Sequence, residues 1–146
     1  MSTSTIPAYL NELVDTLATL HGLQTVTVTS GLAGPTVALE QVAIGYQVDI
    51  DEQPRTMGGN RLETYTVSGE LIIEKPGAGE DAIRNARDRA FEVYAVIETY
   101  LNDYPTVGDT VVHAQLQRNQ VRNNIALDGR SCEIDFEIQV RAAKNP

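Results

Sequence analysis

The side chains best suited to chemistry in this chain are two histidines, one cysteine and several closely spaced acids. His21 stands directly before Gly22, where it can interact with the last carbonyls of a predicted helix. His113 falls on the polar side of a predicted strand. Neither spacing is typical of metal ligands, and the single cysteine, Cys132, excludes an intrachain disulfide and any multi-cysteine zinc site. We therefore predict no metal site and interpret Cys132 as a small buried hydrophobe.

Two glycine-containing stretches have something in common with phosphate-binding loops. The stretch GLAGPT, residues 31–36, is not followed by a lysine. The stretch GAGEDAIRNA, residues 77–86, precedes a predicted helix but lacks a third glycine, and Glu80 and Asp81 would repel a pyrophosphate there. No G-x-S-x-G motif is present for a nucleophilic serine. The sequence therefore predicts no catalytic residue, no cofactor site and no enzyme.

The acids form rows along strands. In SCEIDFEIQVRA, residues 131–142, the acids Glu133, Asp135 and Glu137 alternate with apolar side chains. Successive side chains of a strand point to opposite faces, so this strand has one dry face and one charged face. General acid–base catalysis needs two carboxylates in different environments of one cleft, whereas a row places them in similar environments. The row indicates either a solvated face or an acidic surface with a function.

Length and charge narrow the class of protein. The 146 residues suit one domain, predicted to span residues 1–146, and 42% hydrophobic residues suffice for a core. The net charge of −9 argues against ordinary nucleic-acid binding, which requires basic patches. The first residues lack the basic and apolar regions of a signal peptide, and no stretch approaches the ~20 apolar residues of a membrane span. We expect a cytoplasm-like compartment.

Hydrophobic periodicity predicts the order of the elements. A period of three to four residues predicts helices over 6–20 and 81–104, and a period of two predicts three strands between them and two after them. In the second strand, one face is predicted to carry Val42, Ile44, Tyr46, Val48 and Ile50. The predicted fold class is α+β: an antiparallel or mixed sheet with two helices on one face, in the order α-β-β-β-α-β-β.

This pattern resembles the tail terminator, or tail completion, proteins of long-tailed non-contractile bacteriophages. The similarity is carried by the opening helix PAYLNELVDTLATL, the strands around GYQVDI and LETYTVSGELIIEK, the helix DAIRNARDRAFEVYAVIETYL and the closing strand CEIDFEIQVRA. It covers nearly the whole chain and rests on element order, lengths and alternation, without a short signature motif.

The resemblance implies a structural virion protein with no enzymatic activity and no cofactor. Such proteins form a homo-hexameric ring that caps the tail tube, stops its polymerisation and presents a surface to the head connector or stopper protein. DNA passes through the central hole without specific binding, and no membrane is involved. The implied location is the tail–neck region of the virion, with assembly in the host cytoplasm.

Three groups of residues are candidates for such a role. Glu133, Asp135 and Glu137 are expected at the lumen or at a subunit boundary, although this face could equally lie outside the ring. Arg84, Arg87 and Arg89 of the second helix form either a solvated face or contacts to acidic strand edges of a neighbour. The connection between residues 51 and 60 is either a surface tip or a contact to the tube or neighbour; its candidate residues are Arg55, Met57, Gly58, Gly59 and Asn60.

Other functions fit the same pattern. One such function is a head–tail stopper or adaptor, and another is a tail tube subunit. Tube subunits also have acidic lumens and long hairpin loops, and they differ from a terminator in stacking without end. A small α+β enzyme would require a cleft with a shifted titratable pair, for which the sequence offers no candidate. A monomeric binding module would remain a monomer in solution.

Overall fold

The structure is a computed structural model that describes residues 4–31, 40–51, 56–57, 60–77, 79–126 and 129–144. Residues 51, 56, 57, 60–62, 118, 119, 124–126, 143 and 144 are described by their backbone alone. Strands and helices follow the predicted order, with one additional two-residue strand inside the connection between the second and third predicted strands.

The first helix, α1 (Ile6–Thr19), begins where Pro7 fits the first turn and the hydroxyl oxygen of Ser4 accepts a hydrogen bond from the amide of Ile6 at 3.1 Å. Glu63, although only 1% exposed, accepts hydrogen bonds from the amide of Thr5 at 3.0 Å and from its hydroxyl at 2.8 Å. An anion at the positive end of the helix dipole is stabilising, so Glu63 anchors the start of α1 to the sheet. The helix ends before Gly22, whose φ of +96° turns the chain.

The second helix, α2 (Glu80–Asp103), carries two acids in its first turn, as the dipole favours, and buries one continuous stripe against the sheet. Leu13 and Leu17 of α1 and Val93 and Ile97 of α2 are fully buried. Tyr9 of α1 contacts Tyr65 and Tyr94 of α2 contacts Phe136, and these two sheet residues point to the same side. Both helices therefore cover one face of the sheet, which confirms the predicted fold class.

The sheet has six strands in the spatial order β1-β2-β4-β6-β5, with β3 paired to β4. Its strands are β1 (Thr27–Ser30), β2 (Glu40–Asp51), β3 (Thr56–Met57), β4 (Asn60–Pro76), β5 (His113–Ala126) and β6 (Gly129–Lys144). β1 runs parallel to β2, and the remaining pairs are antiparallel, so the sheet is mixed. β4 and β6 form an uninterrupted ladder from Arg61–Lys144 to Pro76–Gly129.

The predicted alternation along β2 is wrong at one residue. The register against β4 shifts between Ile44 and Gln47, and Gly45 in this bulge has a φ of +83°. Tyr46 is thereby turned to the opposite face, where burial and then the charges of Asp135 and Glu70 raise its pKa. Because the bulge adds two residues, the alternation resumes afterwards: Val48 lies opposite Val67, and Ile50 lies opposite Tyr65. A second bulge, between Arg118 and Gln120, explains the irregular pattern of β5.

Gly69 is required where α2 meets the sheet. A methyl group at this position would collide with the ring of Phe136, which lies across the glycine from the neighbouring strand β6. The same ring makes an edge contact with Tyr94 of α2, with centroids 6.2 Å apart. The missing side chain of Gly69 therefore leaves the space in which Phe136 joins the sheet to α2.

We predict that Gly69→Ala lowers the free energy of unfolding by about 1–3 kcal/mol, because the extra methyl overpacks the core. In an unobstructed strand the same change would stabilise by about 0.5–1 kcal/mol, so the sign of the effect is decisive. Urea denaturation measures it, and Phe136→Leu provides the partner variant. The double variant should lose less stability than the sum of the losses in the two single variants, whereas additive losses would contradict the contact.

Candidate functional site

Four carboxylates lie together on the sheet face that points away from the helices. Glu133, Asp135 and Glu137 of β6 stand opposite Ile72, Glu70 and Ser68 of β4, and directly paired side chains share a face. The predicted row therefore exists, and β4 extends it with Glu70. We call Glu70, Glu133, Asp135 and Glu137 the acidic sheet face.

Arg122 of β5 lies among three of these acids. Its guanidinium donates to Glu133 Oε2 at 2.9 Å and approaches Asp135 Oδ2 at 3.2 Å and Glu70 Oε1 at 3.6 Å. The planar guanidinium offers five donors, which lets one arginine serve several carboxylates. One positive charge among three negative ones leaves the cluster with a net negative charge.

Burial and neighbouring negative charges shift the pKa of Glu70 within this cluster. The side chains of Glu70, Glu133 and Asp135 are only 19–22% exposed. Burial raises the pKa of the Glu70 carboxyl, and the charges of Glu133 and Asp135 raise it further, while Arg122 opposes them. The pKa of Arg122 is itself raised, chiefly by Asp135. Arg122 therefore favours the ionised form of Glu70 against the effects of burial and of its two acidic neighbours.

This arrangement is suited to presenting charge. No group of three or more His, Cys, Asp or Glu side chains within the described residues is placed to hold a metal ion. Three depressions are lined by described residues, and none of them includes a carboxylate of the acidic sheet face. An acid–base pair would need a cleft that separates two environments, whereas these carboxylates share one open face.

Comparison with known proteins finds no matching family model and no matching curated protein. Among solved structures, the chain is similar to a chain of the virion of a native gene transfer agent particle. The two are 15% identical, the match covers 92% of this chain and 93% of that chain, and the TM-score is 0.41. A likeness of this size carries no argument about function, which has to be inferred from the residues of this chain.

The predicted contact loop lies largely outside the described residues. Arg55, Gly58 and Gly59 are not described, and Met57 and Asn60 are described by their backbone alone. The backbones of Met57 and Asn60 pair as the last rung of the β3–β4 ladder, so the connection between these strands consists of residues 58 and 59. A contact of this loop with the tube or a neighbour stays a prediction.

The three arginines of α2 have different environments. Arg84 is exposed and forms an ion pair with Glu80 one turn earlier, at 3.1 Å. Arg87 is exposed and makes no ion pair with any described residue. Arg89 points into the molecule, where its guanidinium is bound within the chain. Contact of any of the three with another subunit stays a prediction, and the structure favours Arg87 and Arg84 over Arg89.

Arg89 joins α2 to the start of β2. Its Nε and Nη2 atoms donate to the two oxygens of Glu40 at 2.7 and 3.1 Å, and Nη2 also donates to the carbonyl of Gly22 at 3.1 Å. This hydrogen bonding lowers the pKa of Glu40, against the raising effect of burial. Periodicity in the sequence could not predict this pair, because Glu40 and Arg89 lie 49 residues apart.

The cysteine and the two histidines lie in positions that do not indicate a catalytic or metal-binding role. Cys132 is buried, as predicted, and burial raises the pKa of its thiol, so the reactive thiolate is disfavoured. His113 is exposed and lines a depression of about 310 Å³ with Arg141 and Gln139, on the same side of the sheet as Glu137 and farther along β6. His21 is exposed, and its Nδ1 atom lies 3.4 Å from the side-chain nitrogen of Gln24. No helix among the described residues is long and apolar enough to cross a membrane.

We predict that Arg122→Gln destabilises the protein by about 1 kcal/mol at neutral pH, since its pairs are partly exposed. The pKa of Glu70 is raised in the folded protein, so its contribution to stability is largest below the unfolded pKa and is lost as pH rises through the folded pKa. Without Arg122 the folded pKa of Glu70 rises further, so the loss of stability with rising pH becomes larger. Urea unfolding across pH should therefore show the variant approaching wild type at acidic pH. Arg84→Gln is the control with little effect, and an equal loss for Arg122→Gln at all pH values would contradict the cluster.

We predict that Arg89→Met destabilises the protein by about 2 kcal/mol near pH 7, because it removes the hydrogen bonds to Glu40 and leaves Lys75, 3.8 Å away, as the remaining cation of this partly buried acid. The pKa of Glu40 is lowered from its ordinary value of 4.5, so its stabilising contribution is present above that value and is lost as pH falls through the folded pKa. The difference from wild type in urea unfolding should thus shrink in acid. Arg84→Met, at an exposed pair, serves as the matched control. A pH-independent loss would mean that Arg89 acts by packing alone.

Proposed function

We propose that this chain is a structural protein of a tailed-phage-like virion that assembles as a hexameric ring on the end of the tail tube. The ring ends polymerisation of the tube and joins it to the head connector or stopper protein. DNA passes through its lumen without specific binding. The protein is proposed to act in the tail–neck region, after assembly in the host cytoplasm, and to catalyse no reaction.

The acidic sheet face is the observation that carries this proposal. Four carboxylates and one arginine give this open surface a net negative charge. Six copies at −9 each make a ring with a formal charge of about −54. Phosphates are repelled by such a lining, whereas a basic lining would hold DNA through counterion release. A channel through which DNA must slide benefits from repulsion.

The element order supports the same function. The sequence resemblance to tail terminator proteins requires an opening helix, long hairpin strands, a second helix and a closing hairpin, and these elements are present in that order. Within the sheet order, β1 and β5 are the outer strands, each paired on one side only among the described residues. Unpaired strand edges are natural places for contact with further chains.

We predict that the purified protein forms a closed ring of six chains, either alone or when tail tubes are supplied. Light scattering across a concentration series gives the mass, and negative-stain imaging shows whether a central hole is present. Tube growth in the presence of the protein is the functional readout. Open-ended tubes made of this chain would instead indicate a tube subunit, and a monomer that tail tubes do not recruit would rule the proposal out.

The orientation of the acidic sheet face can be measured in the same rings. Gln117 of β5 is exposed beside Glu137, and Glu98 of α2 is exposed on the helix side. In rings, Gln117→Cys should react slowly with a bulky maleimide and readily with a small one, while Glu98→Cys should react readily with both. Cys132 does not interfere, because it is buried. Equal rates at both positions would place the acidic sheet face outside the ring.

A further inference from the structure

The negative charge of this chain is unevenly distributed along it. Residues 1–54 and 90–117 together contain ten acidic residues and no lysine or arginine. The remainder contains ten acidic and eleven basic residues. The two stretches that lack basic residues supply α1, β1, β2 and most of α2. The stretches that form α1 and the second half of α2 thus carry acidic side chains and no lysine or arginine.

An apolar groove of about 550 Å³ lies within this acidic part, between the end of α1 and the second half of α2. Its apolar lining consists of Leu20, Ala95, Val96, Tyr100 and Tyr104. Tyr104 is 60% exposed, and its ring contacts that of Tyr100, with the centroids 5.4 Å apart, so the two rings form an exposed apolar surface. Glu92 and Asp103 also line the groove, and Arg89 partly neutralises Glu92 through an ion pair at 2.6 Å. The groove suits an apolar side chain with a positive charge beside it.

A surface with those properties exists elsewhere on the same chain. Val121 of β5 faces the helix side of the sheet opposite Ile134 and is 40% exposed. Arg87 of α2 lies close enough to Cys132 to influence its thiol, and Cys132 pairs with Asn123 of β5. Arg87, Val121 and Asn123 therefore form one patch beside the outer strand, which we call the β5 flank.

We infer that the groove of one copy receives the β5 flank of the next copy, with Arg87 facing Asp103 and Val121 entering beside Tyr104. The inference rests on the proposed ring and names the two surfaces that form it. A ring needs a head-to-tail contact between two different faces, which the groove and the β5 flank provide. A groove packed on a second groove would place Glu92 and Asp103 against like charges and is disfavoured.

Reciprocal charge reversal tests this contact. Asp103→Arg and Arg87→Glu each place like charges in the interface, so each should weaken self-association about tenfold, measured as the dissociation constant by sedimentation velocity. Asp103→Arg puts a cation at the end of α2, which the helix dipole favours, so the fold should be retained. The double variant should regain association, because the pair is restored with its charges exchanged. Glu98→Arg, on the same helix but outside the groove, is the matched control.

The outcomes separate this inference from the proposed function. Loss in both single variants with recovery in the double variant supports the contact. Rings that form equally well in all variants overturn the contact but leave the ring itself intact. Wild-type protein that does not self-associate, even with tail tubes, overturns both. Loss in the single variants without recovery overturns the direct Arg87–Asp103 pairing and indicates a different partner for the groove.

Discussion

The ladder between β4 and β6 is the constraint on which the rest of this structure depends. Sixteen consecutive pairs, from Arg61–Lys144 to Pro76–Gly129, proceed without a register shift. Because paired residues share a face, the alternation of apolar and polar side chains along β4 and β6 determines which residues lie on each surface of the sheet. It directs Val67, Leu71 and Ile134 to the helices and the carboxylates of Glu70 and Asp135 to the other side. A slip by one residue would bury the acids and expose the core.

The acids of this chain differ in how their negative charge is balanced by neighbouring groups. Glu40 is largely shielded from water and is bound by the Arg89 guanidinium, with Lys75 at 3.8 Å. Glu63 is buried and accepts hydrogen bonds from the Thr5 amide and hydroxyl at Oε1, while its Oε2 atom has no partner among the described residues. The acidic sheet face shares a single arginine among three acids and stays negative. Full neutralisation would have required only a few more lysines or arginines on β5, where the exposed residues paired with Glu137 and Asp135 are Gln117 and Gln120. The surplus negative charge is consistent with a surface that has to repel the phosphates of DNA.

The sequence predicted what depends on periodicity and failed where distant residues meet. The period of two placed Glu133, Asp135 and Glu137 on one face, and it also places Glu63 on the face of Tyr65 and Val67, a signal of its burial. The wrong prediction at Tyr46 follows from a bulge whose only local sign is Gly45. The role of Arg89 was hidden because periodicity carries no information about Glu40, 49 residues away. The same limit applies to Arg122 and Glu70, which lie on different strands.

Ionic strength acts on the proposed ring in two opposite directions. At about 0.15 M salt the Debye length is about 8 Å, so charges facing one another across a water-filled lumen are largely screened, and added salt relieves their repulsion. The contact between Arg87 and Asp103 is attractive, and added salt weakens it. The net dependence of assembly on salt therefore does not reveal which contacts hold the ring. Charge exchange at fixed ionic strength does, because it reverses the local interaction and leaves the net charge of the double variant unchanged.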